Sequence, residues 1–195
     1  FDVSMGVYGV QGIELVSPTD DSLTEPGALM DLGFAHLLMG DLDAAGDAFE
    51  AANAVCDKLG NPILRAYAIG KLGLLADAEK RHGDALRLHL EGCEVFTSVG
   101  DAAGTGYALS RASASAFGLG EYAEALRLGR AGYEAFSESN HRWGLITALC
   151  RIGFAALALG DPTEAADNFR TALERAHTSE AISLELLALS GIGAV

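Results

Sequence analysis

Three cations recur at one spacing in this chain. Lys71, Arg111 and Arg151 stand forty residues apart, and Tyr67 and Tyr107 precede two of them by four positions. On a helix, residues four apart share a face. The chain has 13 Lys and Arg against 27 Asp and Glu. Three cations in one register therefore form a basic column inside an acidic protein. A guanidinium is a planar fork matched to carboxylates. The column has two readings. It binds a carboxylate, on an acidic peptide segment or a small molecule, or it pairs with acids from neighbouring helices.

The other chemistry-bearing residues show no such register. His36, His82, His89, His141 and His177 lack the H-E-x-x-H spacing of a metal-binding helix and read as surface or packing residues. Cys56, Cys93 and Cys150 are odd in number and contain no C-x-x-C pair, which fits reduced thiols better than a disulfide frame or zinc site. Cys150, beside the column, reads as a small buried hydrophobe. The stretch "GVYGVQG" at residues 6–12 lacks the spacing and the following basic residue of a phosphate loop. Asp161 and Glu164 read as solvated acids, not an acid/base pair. No Ser-His-Asp or Cys-His arrangement is spaced for nucleophilic catalysis. The expectation is a chain that is not an enzyme, with no metal and no cofactor.

Composition narrows the partners. A net charge of -14 disfavours wrapping nucleic acid, whose phosphates need Lys and Arg, and disfavours anionic membrane surfaces. No run of about 18 apolar residues is free of charges or breakers, so no membrane span is expected and a cytoplasmic location is. Half of the residues are apolar, and Pro numbers only 4. An Ala- and Leu-rich, Pro-poor chain favours helix. The first residue is Phe1, which suggests a piece of something longer.

The elements that hold the column repeat with it. "MGDLDAAGDAF" at residues 39–49 returns as "LGDPTEAADNF" at residues 159–169. Leu32-Gly33 has counterparts at Leu72-Gly73, Ala112-Ser113, Ile152-Gly153 and Ile192-Gly193. Ala28, Ala68, Ala108, Ala148 and Ala188 share one register, and Ala45, Ala85, Ala125 and Ala165 another. A strict forty-residue period follows, and each unit reads as two helices. In the second unit the first helix spans about residues 62–78. Breaks fall at Gly40, Lys80, Gly120 and Gly160. Second helices open with acids, as in "GEYAEA", and Pro162 suits a first turn. They end near Gly60, Gly100 and Asn140, residues that accept a left-handed cap. Gly or Ser at 33, 73, 113 and 153 lets the two helices of a unit approach closely against the Ala column. One hairpin cannot bury its apolar face alone, so stacked neighbours make the core.

Leu29, Leu32, Gly33, Ala45, Phe49 and Ala52, and again Leu149, Ile152, Gly153, Ala165, Phe169 and Ala172, resemble the tetratricopeptide repeat. The resemblance covers residues 21–195. It departs in period, forty residues instead of the usual 34, in the missing Trp, and at His89 and Gly129, which stand where Phe packs. It implies an all-α, right-handed superhelical solenoid of antiparallel helix pairs, with first helices lining a concave groove. Units of this length look like those in sensor arrays of large bacterial ATP-binding transcription regulators of the maltose-regulon activator type. They are also similar to spindle-orientation adaptors and to peptide-sensing regulators of Gram-positive bacteria. Mapped onto this chain, the groove positions include Phe34, Tyr67, Lys71, Leu74, Tyr107, Arg111, Thr147, Arg151 and Phe154. The implied function is a non-enzymatic scaffold that binds a protein or peptide segment in the groove, and the basic column suits an acidic one. The alternative is the effector-sensing domain of a larger transcription regulator.

The expected units run over about residues 21–60, 61–100, 101–140 and 141–180, with a truncated fifth at 181–195. Residues 1–20 form a partial preceding unit or an irregular lead-in, since Gly6, Gly9 and Gly12 weaken any helix there. The last helix offers Leu186, Leu189 and Ile192 with no partner helix after it, which suggests end-to-end pairing of two copies. Deleting residues 1–19 should lower the urea midpoint less than deleting residues 141–175, whose unit matches the repeat best. Equal losses in the two truncations would contradict that ranking.

Overall fold

The computed structural model describes residues 21–179 and 181–195, with side chains from Glu25 onward. The expectation for residues 1–20 lies outside the described residues. Nine α-helices follow one another, with no strand among the described residues: α1 (Asp21–Met39), α2 (Leu42–Leu59), α3 (Pro62–Ala78), α4 (His82–Ser98), α5 (Ala102–Gly118), α6 (Tyr122–Glu138), α7 (Arg142–Ala158), α8 (Pro162–Thr178) and α9 (Ile182–Ala194). From α3 to α8 every helix has 17 residues and recurs at the forty-residue period.

The links between helices are short and follow one rule. A single residue at positive φ stops one helix: Gly40, Gly60, Gly100, Gly120 and Gly160, with Lys80 and Asn140 in the same role. The next residue's amide reaches back five positions to close the helix end, as from Asp41 to the His36 carbonyl (3.0 Å) and from Asp101 to that of Phe96 (2.9 Å). At five of the links that same residue's side chain caps the following helix, whereas Arg81, Glu121 and Ala181 make no side-chain cap. Asp41, Asp101 and Asp161 accept from the backbone N–H three residues on, at 3.2, 2.8 and 2.9 Å. Asn61 accepts from Ile63 and Leu64, and His141 Nδ1 from Gly144. Of the acids that open the second helices, Asp43, Glu124 and Glu164 lie in the first turn as expected, and Asp41 and Asp161 are caps, while Pro62 and Pro162 each open a helix, where the missing N–H costs nothing.

Within a unit the two helices meet on a ring laid over glycine. A Cβ at Gly33 would stand 2.5 Å from the Phe49 ring, and one at Gly153 2.7 Å from that of Phe169. In the second unit the ring is an imidazole, with His89 against Gly73. The third unit reverses the pair. Ser113 Oγ donates to the Ala125 carbonyl at 2.7 Å, and the space over Gly129 is taken by Ile152 of the next unit. Ala45, Ala85, Ala125 and Ala165 are fully buried at these crossings.

Each helix packs on the next in sequence. First helices also touch across units, α1 with α3, α5 with α7 and α7 with α9, whereas second helices of successive units do not pack comparably. The first helices therefore form the tighter, inner rank of a stacked antiparallel array. On α9, Ile182, Leu186, Leu189 and Ile192 are exposed. No described helix is long and apolar enough to cross a membrane.

The links carry a stability consequence. At Gly160, φ is +83° and a Cβ would meet no atom, so Gly160→Ala should cost about 1 kcal/mol from the left-handed backbone alone. Lys80→Gly should shift the urea midpoint in the opposite direction, because a residue with a Cβ now holds φ +63°.

Candidate functional site

The three cations lie on the inner rank, on α3, α5 and α7, each held differently. Lys71 is half-buried, with its ammonium 4.8 Å from the Phe34 ring centroid. Arg111 is 7% exposed and lies over the Tyr107 ring at 5.6 Å. Arg151 is half-buried. A cation over an aromatic face is attracted by the ring quadrupole, and the ring fixes where the charge sits. Arg111 meets the tyrosine one turn before it, whereas Lys71 lies over Phe34 of the preceding first helix and not over Tyr67, and Arg111 stands in a drier place than a groove wall open to water.

The other groove positions divide. Tyr67 is 37% exposed and meets the buried Phe96 edge-on at 4.9 Å. Phe34 and Tyr107 are half-buried, as is Thr147, whose hydroxyl donates to the Trp143 carbonyl. Phe154 packs edge-on against Phe169 at 4.8 Å. Leu74 faces the core, 6% exposed beside Leu37, Phe49 and Leu75. Cys150 is buried, and burial pushes its thiol up to about 12 despite the Arg151 charge. It packs as a hydrophobe.

A polar cluster absent from the sequence-based site joins the second and third units. Asp77, at the end of α3, accepts from Ser115 Oγ on α5 at 2.8 Å and lies 2.9 Å from His82 Nδ1 on α4. His89 Nε2 stands 3.5 Å from the other side of this carboxylate. That is a long contact without hydrogen-bond geometry, and neither ring nitrogen of His89 has a hydrogen-bond partner. Burial would push the Asp77 carboxyl up. The nearby His89 ring and the hydrogen bonds of His82 and Ser115 outweigh it and hold the group below its ordinary range. His89 is 1% exposed. Burial drives its pKa below 6.5, and the nearby Arg111 and Arg151 charges add to that against the opposing pull of Asp77. One signal was legible. Asp77 and His82 occupy the registers of Leu37 and Leu42 in the first unit and of Leu157 and Pro162 in the fourth, so polar residues displace apolar ones in one unit only. Among the described residues, no group of three or more His, Cys, Asp or Glu is placed to hold a metal ion.

Neither a protein-family model nor a curated sequence matches the chain. Its fold is similar to that of several solved proteins. The apo form of RapI superposes at a TM-score of 0.70 with 18% identity over 88% of this chain and 48% of that one. BtubC (BKLC) from P. vanneervenii gives 0.70 and 15%, over 86% of this chain and 68% of that one. The signal transduction ATPase with numerous domains (STAND) protein PH0952 from Pyrococcus horikoshii, which has a tetratricopeptide repeat sensor, gives 0.72 and 12%, over 90% of this chain and 27% of that one. The chain thus spans about half the length of RapI and about a quarter of PH0952. Identities this low establish the fold alone, and that fold is a tetratricopeptide-like array of helical hairpins.

The cluster makes stability depend on pH in one direction. His89 and Asp77 both have folded pKa values below their ordinary ones, so the unfolded chain binds more protons as pH falls. Stability should decline first below about pH 6.5, as His89 must be kept neutral, and again below about pH 4, as Asp77 loses its charge. His89→Phe, which installs the ring found at Phe49 and Phe169, should remove the first decline and shrink the second, since it also removes one of the groups that hold the Asp77 carboxyl low. Urea titrations at several pH values would read this. An unchanged profile in the variant would contradict the assignment.

Proposed function

We propose that this chain is a non-catalytic sensing segment of a larger signal-transduction protein, and that its inner face takes an acidic peptide or a carboxylate-bearing effector. The observation that carries this reading is the column of Lys71, Arg111 and Arg151 on three successive first helices of a chain with net charge -14. Opposite charge steers an acidic ligand to that face, and the surrounding acidic surface repels it elsewhere. Tyr107 beneath Arg111 and Phe34 beneath Lys71 orient two of the cations, which lowers the ordering cost of binding.

One solved protein of similar fold favours a sensor over a passive scaffold. PH0952 is described as a signal transduction ATPase with a tetratricopeptide repeat sensor, and this chain covers 27% of it. The forty-residue variant of the repeat, the bacterial source and the link to transcription regulation belong to the same proposal. A scaffold that binds a partner protein's segment in the same groove is the second reading, favoured by the general use of this fold. The parent reading frame separates them, because a nucleotide-binding module beside the array selects the sensor.

The binding face is tested by calorimetry with a set of Glu- and Asp-rich peptides. Lys71→Ala and Arg151→Ala should each weaken binding about tenfold, equivalent to roughly 1.4 kcal/mol. They should also flatten its salt dependence, since each removes a screened attraction. Arg111→Ala should weaken binding and also lower the urea midpoint, because that side chain is buried. Acidic peptides that bind both single variants as tightly as the parent chain would overturn the proposal.

A further inference from the structure

Between α3, α4 and α5 lies a cavity of about 10 Å³, bounded chiefly by Tyr67, Gly70, His89, Gly92, Phe96 and Tyr107. Among the residues that bound it, only Tyr67 is exposed and only Tyr107 half-buried. It therefore opens past these two rings, onto the inner face that carries the basic column. The volume is about that of one water, so one hydroxyl fits and a ring does not.

Gly70 and His89, which help frame the cavity, are not repeated in the other units. Gly70 has Met30, Ser110 and Cys150 in its register, and His89 has Phe49, Gly129 and Phe169. A Cβ at Gly70 would meet no atom within 4 Å, so the glycine leaves space that alanine would occupy. α3 and α5 also approach less closely than the other successive first helices, which leaves the opening between them.

His89 supplies the chemistry. Its Nε2 faces the Asp77 carboxylate, which can only accept, so Nε2 carries the ring hydrogen and Nδ1 is left as an acceptor. Nδ1 has no partner, and the ring is 1% exposed. A buried acceptor without a partner favours whatever brings a hydrogen to it. Lys71 and Arg111 stand one helical turn beyond the two tyrosines at the mouth. A carboxylate held there places the neighbouring one or two residues of an extended segment over the cavity.

We infer that this cavity is a slot for a small hydrogen-bond-donating group, the hydroxyl of a Ser or Thr next to an acidic residue of the bound segment, received by His89. The inference rests on the groove reading above and names the sequence that groove prefers. Burial and the nearby guanidinium charges keep the imidazole neutral, so the acceptor persists at neutral pH.

A peptide array of acidic decamers, with each position varied in turn, tests it with the chain as it stands. Peptides with Ser or Thr beside an acidic residue should bind at least fivefold tighter than the same peptides with Ala or Val. Gly70→Ala fills the slot and suits a helix, so it should abolish that preference while leaving the Ala peptides' affinity unchanged. His89→Phe, which removes the acceptor, should do the same. Acidic peptides that bind without the preference, or a preference that survives both substitutions, would overturn the slot and leave the groove reading standing. Failure of every acidic peptide to bind would overturn both.

Discussion

The array depends on how closely two backbones approach where one side chain is missing. A ring on the second helix of a unit lies over a glycine on the first, and no Cβ fits between them. That contact sets the separation of the hairpin and orients the flanking apolar faces toward the next unit. Phe169 shows its reach, since it lies against Gly153 of its own unit and Gly191 of the following one. Phe136 similarly fills the space over Gly106 and Gly144. Close packing of this kind leaves little tolerance in volume. The stack is therefore held by a series of local contacts, each repeated with the period of the sequence.

The second and third units modify that contact, and the modification bears on function. In the second unit an imidazole replaces the phenyl ring, and the carboxylate of Asp77 replaces a leucine nearby. Ser115 then ties that carboxylate to the next unit's first helix. A dry junction has become a polar one, with two guanidinium groups close enough to influence the imidazole. The basic column and the polar cluster are thus parts of one electrostatic neighbourhood. Burial keeps His89 neutral, and a carboxylate arriving on the column would offset the smaller contribution of the two guanidinium charges.

Much of the fold was legible because the determinants are local and repeat. The forty-residue register of Leu32-Gly33, the Ala columns and the glycines at the links fixed helix number and pairing, and Lys80 and Asn140 took the left-handed role that their positions required. The caps were less legible. Asp41 and Asp161 read as first-turn acids, and only the backbone geometry shows them accepting from the N–H three residues on. At the site, the column's register was visible, but its burial was not. The groove positions mapped from the resemblance placed Leu74 beside Lys71, while packing turns Leu74 into the core. The Asp77 cluster was missed because its members come from three helices, and Ser115 lies 38 residues from the carboxylate it meets. Periodicity shows which residues are equivalent. It does not show which ones touch.

The links of two or three residues limit how such a chain could change length over generations. One residue stops a helix, and the next both closes that helix and begins another. An extra residue in a link would break the closing hydrogen bond, and one inside a helix would turn every later side chain by about 100°. Neither leaves the rings over their glycines. Insertions and deletions that survive would therefore come as whole modules of the repeat, so relatives of this chain should differ in length in steps of one repeat and hardly at all between them.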